Sequence, residues 1–411
     1  MRLEELELRL VLDPSLELRY ERAAVLGALE RTAEAKTELT AILAEAPEHA
    51  RAHARLAQLL RDEGELEGSV EHFRRALELD PSSALPGRTL RSRPIAIAPA
   101  RCADPFRLLI VGVEGEGNVP LSSFLTPEIF EVATLIVDRY DGEPLPPHER
   151  VFNLIGDADR CAAALVAAEA VLRKTAAPVV NRPRAVLQTG RVDNARRLGA
   201  LADVVTPRYA TFPRRALEGD AAGVLGAAGF AWPILLRVPG FHTGEHFVKV
   251  ESAEQLAFAL AELPGAAVLA IEYLDARDGE GRFRKYRAIA VDRVLYPLHL
   301  AISKDWKVHY FSADMAENAP NREADAAFLD DMHATLGPRA LAALERIVRT
   351  LDLEFAGIDF ALDSAGRILL FEANATMIVP EPPEDARWDY RREPVRRIVD
   401  AVRAMLAGRP A

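Results

Sequence analysis

The chain has 411 residues, 49% of them hydrophobic and 27% charged, which suits two or three domains with buried cores and excludes wholesale disorder. The net charge of −11, with no basic stripe, excludes a phosphate-backbone binder, so no nucleic-acid partner is expected. Two cysteines, Cys102 and Cys161, cannot build a disulfide framework or a thiolate zinc site. No apolar leader or run of ~20 apolar residues appears, so a cytoplasmic protein without a membrane partner is expected.

The first elements repeat. Residues 49–81 place small or apolar side chains at Leu56, Ala57, Leu60, Ser69, Phe73 and Ala76, with Gly64 where a first helix must stop and Pro81 closing the unit. About 34 residues earlier, Ala23, Leu26, Ala35, Leu39, Ile42 and Pro47 occupy the same frame. Leu3–Pro14 reads as the second helix of a truncated earlier unit. The pattern resembles the tetratricopeptide repeat, whose crossing helices need those small residues. About two and a half units are fewer than the ~3 a solenoid needs. Leu6, Leu10, Leu26 and Leu39 have few internal partners, so the repeats are expected to lean on the rest of the chain or on a second copy in a homodimer. His49, His53 and His72 are expected at the surface.

Residues 82–105, rich in Ser, Pro and Arg, read as a linker. Strands are then expected at Phe106–Val113, Glu131–Asp138, Arg150–Ile155 and Pro178–Asn181, with a helix over Asp159–Lys174. Strand and helix alternating at this spacing argue for a parallel, Rossmann-like sheet. The glycines at 112, 115 and 117 do not have dinucleotide-fingerprint spacing, and they read as a tight turn facing the cleft. A short helix is expected at Ala195–Leu201. Two strands, Pro233–Val238 and His246–Val250, flank a Gly-containing loop, and a helix follows at Ser252–Glu262. Strands at VLAIEYL, KYRAIAV, VLYPLHLAIS and WKVHYF come next, then helix over Ala324–Leu351. A strand hairpin at Phe355–Asn374 and a helix near Pro394–Leu406 end the chain.

The hairpin carries the chemistry. Asp363 first and Gly366 last make a type I turn. Centring the turn there pairs Asp359 with Leu370 and Gly357 with Glu372. Alternation then puts Asp359, Leu370, Glu372 and Asn374 on one face, with Asp359 and Glu372 as diagonal neighbours about 7–8 Å apart. Two carboxylates and an amide oxygen so placed suit a hard divalent cation such as Mg²⁺, with Gly357 leaving room for phosphate oxygens.

Asp359, Gly366 and Leu370-Phe371-Glu372-x-Asn374 resemble the closing motif of the ATP-grasp superfamily, over roughly residues 106–390. Glutathione synthetase, D-alanine–D-alanine ligase and the ribosomal-protein glutamate ligases are members. The resemblance implies an α/β ATP-grasp fold preceded by all-α repeats. Its parts would be repeats at 1–81, the linker at 82–105, a Rossmann-like domain at 106–186, a middle lobe at 187–265 and a C-terminal domain at 266–411. It implies ATP and two Mg²⁺ ions (or Mn²⁺), with Asp359, Glu372 and Asn374 as metal ligands. It implies nucleotide contacts from Arg191 and Arg237, where the family usually has lysines, and from Gly240 and Gly244 of the loop. Lys249 or His242 would assist. Glu272, Tyr273 and Leu274 would form the adenine hinge, with the ribose acid left open among Glu272, Asp275 and Asp278. Arg287, Lys304, Lys307 and His309 would supply the cations that phosphoryl transfer requires.

The resulting expectation is an ADP-forming carboxylate–amine ligase working through an acyl phosphate, with a peptide or protein recruited by the repeats. The other readings are a nucleotide-binding adaptor, and an ATP-grasp kinase or thioester-forming ligase.

Overall fold

The computed structural model describes Leu10 and residues 15–409, apart from 29–30, 63–64, 80–94, 121–122, 218, 239–245, 309 and 311–312. Four helices come first: α1 (Leu16–Ala28), α2 (Thr32–Glu45), α3 (Ala50–Asp62) and α4 (Leu66–Leu79). Ala23, Ala35, Ala52 and Ala57 are fully buried where these helices approach, which is the use of small residues expected of the repeats. Leu26 and Leu39 were expected to want outside partners, but both are buried inside this core with Ile42, Leu56 and Leu60. Leu6 lies outside the described residues. α4 also touches α5 (Ala162–Leu172), so the repeats do meet the following part of the chain. His53 is not at the surface. It is 9% exposed, and its Nδ1 shares a 2.8 Å hydrogen bond with Nδ1 of His72.

The first sheet has the order β1-β3-β2-β4-β5. Its strands are β1 (Ile95–Ala98), β2 (Phe106–Gly112), β3 (Phe130–Ile136), β4 (Arg150–Asn153) and β5 (Val179–Val180). β2 to β5 run parallel, with α5 as the crossover from β4 to β5, and most of their Leu, Ile and Val side chains are buried. β1 pairs antiparallel with β3, so the segment read as a linker contains an edge strand. Its Ile-Ala-Ile-Ala alternation is only four residues long, too short to stand out beside the prolines.

The second sheet, β7-β10-β8-β9, is antiparallel and carries its own apolar core. It consists of β7 (Tyr209–Pro213), β8 (Ile234–Arg237), β9 (Phe247–Val250) and β10 (Ala267–Glu272), backed by α7 (Ala253–Glu262). The third sheet has the order β12-β11-β13-β14-β6, with β6 (Val204–Val205), β11 (Phe283–Val291), β12 (Val294–Ser303), β13 (Phe355–Leu362) and β14 (Ile368–Asn374). β6 follows α6 (Arg191–Leu198) and runs parallel to β14, so a piece of the expected middle lobe belongs to this sheet.

Two other expectations change. The strand expected over 306–311 does not form at Trp306–Val308, and His309 and Phe311 lie outside the described residues: Ser303 Oγ accepts the Asp305 N–H at 3.0 Å, which turns the chain out of β12. Trp306 then packs edge-on against Phe247, and this contact rather than strand pairing explains its apolar character. The helix expected over Ala324–Leu351 is divided. α8 (Ala319–Asp330) ends before Asp331, whose carboxylate accepts from the Ala334 N–H and caps α9 (Met332–Leu351). α9 is broken again at Gly337 (φ 76°), before Pro338. α10 (Arg392–Leu406) closes the fold on β11 and β12.

Candidate functional site

The hairpin differs from its expected register in a way that matters for chemistry. Gly366 takes a left-handed conformation (φ 74°), which adds a residue to the turn, so Leu362 pairs with Ile368 and Phe360 with Leu370. A bulge between Phe360 and Asp359 then adds a second extra residue, Phe371, on β14. The two slips together place Asp359 directly opposite Glu372, and Gly357 opposite Asn374. Leu370 is not on the carboxylate face. It packs with Phe360 in the main core, and Phe371 turns to the cleft with Glu372.

The same row continues across the sheet. Arg287 on β11 pairs with Asp359 on one side and with His299 on β12 on the other. His299, Arg287, Asp359 and Glu372 thus form one transverse line on four adjacent strands. Arg287 grips Asp359 with both ends of its fork, at 2.5 and 2.8 Å, and Lys285 adds its ammonium at 3.2 Å. Burial alone would push the Asp359 carboxyl up, but Lys285 and Arg287 hold it far below the usual carboxylate range. Glu372 Oε1 accepts from Asn374 Nδ2 at 2.9 Å and from Arg191 at 3.3 Å.

A cleft of about 670 Å³ opens above this line, between the second and third sheets. Arg191, Arg237, Lys285 and Arg287 reach it, as do Asp359 and Glu372. Arg237 is 9% exposed, and burial together with the neighbouring Arg191 lowers its guanidinium to about 10. The Tyr209 phenol is pushed up to about 12 by burial, against the pull of Arg191. With Arg284 and Lys307, six cations stand against the three carboxylates of Glu272, Asp359 and Glu372, which leaves the cleft short of negative charge, and the balance suits a polyanion. Its far end is apolar, with Leu235, Ile271, Leu274, Ala276 and Phe283 beside Tyr273.

The other expected residues divide. Glu272 lines the cleft and accepts from the Arg208 N–H at 3.0 Å, and β10 is an interior strand of its sheet. Asp275 pairs with Arg277 and Asp278 with Arg284, so both acids are engaged beside the hinge. Lys307 reaches the cleft and lies 3.5 Å from the Phe247 carbonyl. Lys304 is exposed and does not line it. Lys249 turns to Glu251 at 2.9 Å and sits 4.0 Å over the Tyr273 ring. Gly240, His242, Gly244 and His309 lie outside the described residues. Lys285 was missed, although it stands two residues from Arg287 on the same strand and therefore on the same face. His299 was missed because only strand pairing brings it to the row.

The donor set of Asp359, Glu372 and Asn374 is the hard-oxygen set that Mg²⁺ prefers. Glu372 Oε2 has no protein partner among the described residues. Both Asp359 oxygens are held by Arg287 and Lys285, and Asn374 Oδ1 accepts from the Thr376 N–H and hydroxyl. The chemistry of the set fits a divalent ion, and Glu372 is the member open to receive it. The space at Gly357 is not open as expected: a Cβ there would collide with Met377.

Residues 28–91 match the tetratricopeptide repeat family. No curated protein matches the chain in sequence. Solved structures similar to it are ATP-grasp and D-alanine ligases. A D-alanine–D-alanine ligase from Bacillus anthracis is 12% identical, with a TM-score of 0.47, over 73% of this chain and 96% of its own. An ATP-grasp RimK domain protein from Sphaerobacter thermophilus is 16% identical, with a TM-score of 0.43, over 73% and 98%. The ATP-grasp ligase PsnB, solved with a precursor peptide and AMPPNP, is 16% identical, with a TM-score of 0.41, over 73% and 98%. Similarity at this level assigns no reaction to the chain. No helix among the described residues is long and apolar enough to cross a membrane.

Proposed function

We propose that the protein is an ATP-dependent carboxylate–amine ligase that releases ADP and works through an acyl phosphate. The carrying observation is the line Arg287–Asp359–Glu372 on the floor of a cleft whose walls bring in Arg191, Arg237 and Lys285. Phosphoryl transfer needs positioning and charge neutralisation more than covalent help. Arg191 and Arg237 hold the phosphates from the wall, and the apolar end takes the adenine beside Glu272–Leu274. Arg287 and Lys285 steady charge on the transferred phosphoryl group and on the substrate carboxylate. Asp359, Glu372 and Asn374 hold Mg²⁺, which when bound neutralises the phosphate oxygens. The repeats recruit a peptide or protein that carries one of the two substrates.

A second reading has its own observation. The complete engagement of Asp359 by Arg287 and Lys285 favours an adaptor that binds nucleotide without turning it over. Incubation with ATP, Mg²⁺ and pools of amino acids and peptides separates the two. The ligase gives ADP release and a product heavier by the acyl donor minus water. Nucleotide binding with no ADP release makes the protein an adaptor. A phosphorylated or thioester product would make it a kinase or a thioester-forming ligase.

A further inference from the structure

Beside Glu372, and sharing Arg191, Tyr209 and Thr376 with the main cleft, is a small cavity of about 40 Å³. It lies between the N-terminal end of α6, the loop after β4 and the end of β14. It has room for the head of a substrate but not for a whole amino acid.

Its hydrogen-bond polarity is mainly accepting, with the Tyr209 hydroxyl and the Arg191 guanidinium as the donor side chains that line it. Thr189 Oγ1 donates to the Val186 carbonyl at 2.7 Å, and Thr206 Oγ1 to the Ala195 carbonyl at 2.9 Å. Neither carbonyl has a hydrogen to return, so each hydroxyl has used its only proton and presents lone pairs alone. Thr376 does the same toward Asn374 Oδ1, whose identity is fixed because Asn374 Nδ2 donates to Glu372. Asn194 is 5% exposed and lines the cavity. Its Nδ2 donates to the Ala373 carbonyl, which leaves Oδ1 as the remaining end, and that oxygen has no hydrogen-bond partner among the described residues. Asp157, Asp159 and Glu372 add carboxylates. The Arg191 guanidinium, which could have met these acceptors, is turned to Glu372.

A buried acceptor left without a donor is costly. A cavity lined by spent hydroxyls, an orphaned amide oxygen and three carboxylates calls for a cation with several N–H donors. We infer that it holds a primary ammonium group of the amine-bearing substrate, an amino acid, a peptide or a polyamine, whose remainder extends past Glu372 into the cleft. This rests on the ligase reading for the substrate's role, but not for its binding. A bare metal ion is the weaker occupant: among the described residues no three His, Cys, Asp or Glu side chains converge closely enough to hold one.

The test uses the full chain and two probes of equal charge, n-butylammonium chloride and butyltrimethylammonium chloride, titrated by saturation-transfer NMR. The first has three N–H donors and the second has none. Butylammonium is expected to bind about tenfold more tightly. Asn194→Leu and Thr206→Val should each weaken it about tenfold and leave the quaternary probe unchanged. Thr206→Val is close to isosteric, so it carries the result if Asn194→Leu does not fold. Equal binding of the two probes, no binding of butylammonium, or unchanged affinity in the folded variants overturns the inference. So does displacement of the probe by Mg²⁺ alone. Binding of a fluorescent ATP analogue, measured separately, tests the ligase reading. Its failure would remove that reading and leave the ammonium result standing.

Discussion

Asp359 and Glu372 face each other directly across β13 and β14, and they do so because Phe371 is an extra residue in the ladder. Directly paired side chains have their Cβ atoms about 4.5–5.5 Å apart, closer than diagonal neighbours. The bulge therefore brings two carboxylates within reach of one divalent ion and aims Phe371 into the cleft.

The Arg287–Lys285 grip on Asp359 gives a pH signature. The folded carboxyl titrates well below its unfolded value of about 3.9. Its contribution is therefore complete above that unfolded value and is lost as pH falls through the folded one. Urea unfolding at pH 6 and pH 3 should show wild type losing more stability on acidification than Asp359→Asn. Equal losses in the two proteins would mean that the carboxylate is not held this way.

Gly357 has no spare room. Its missing Cβ is replaced by Met377, with Ile289 alongside. Gly357→Ala should destabilise by about 1–3 kcal/mol through overpacking. Adding Met377→Ala should recover part of the lost melting temperature. A single variant as stable as wild type would show that Met377 moves freely.

Nucleotide affinity should depend on Arg237, which is almost buried in the cleft wall. Arg237→Ala should weaken ATP binding about tenfold or more, the loss expected for a charge-assisted hydrogen bond. Arg237→Lys should retain more affinity than Arg237→Ala. Calorimetric titration with a non-hydrolysable ATP analogue decides it.

Glu372 is the metal-set carboxylate with an oxygen open to an ion. Glu372→Gln should abolish Mg²⁺-dependent ADP release while the melting temperature changes little, because the residue is only half-buried. Substantial turnover in that variant would move the ion to other ligands.

The repeats have their own core and also touch α5. Removing residues 1–94 should leave ATP binding intact, because every proposed nucleotide contact lies in the later lobes. Activity on a peptide acceptor should fall if the repeats recruit it. Full activity of the truncated chain on its true substrate would refute recruitment.

Local pattern determined much of this protein. The spacing of Ala23, Ala35 and Ala57 is legible because crossing helices admit only small side chains. The parallel sheet is legible because strands buried on both faces must be continuously apolar. The polar set Asp359, Glu372 and Asn374 stands out because it interrupts such strands. Their shared face was readable, even though the register was not. Gly366 and Phe371 each slip the ladder by one residue, and two slips restore the parity that one would have reversed. Tertiary structure alone decided the rest. The ion pairs of Asp359 depend on β11 lying beside β13, a pairing between segments far apart in the chain. The filling of Gly357 by Met377 depends on how the chain turns after β14. The orphaned oxygen of Asn194 depends on the amide orientation that its Nδ2 takes in donating to the Ala373 carbonyl on a distant strand. Sequence spacing encodes which face a residue shares along its own strand or helix. It does not encode which donor arrives from elsewhere, and here those arrivals set the charge of the cleft.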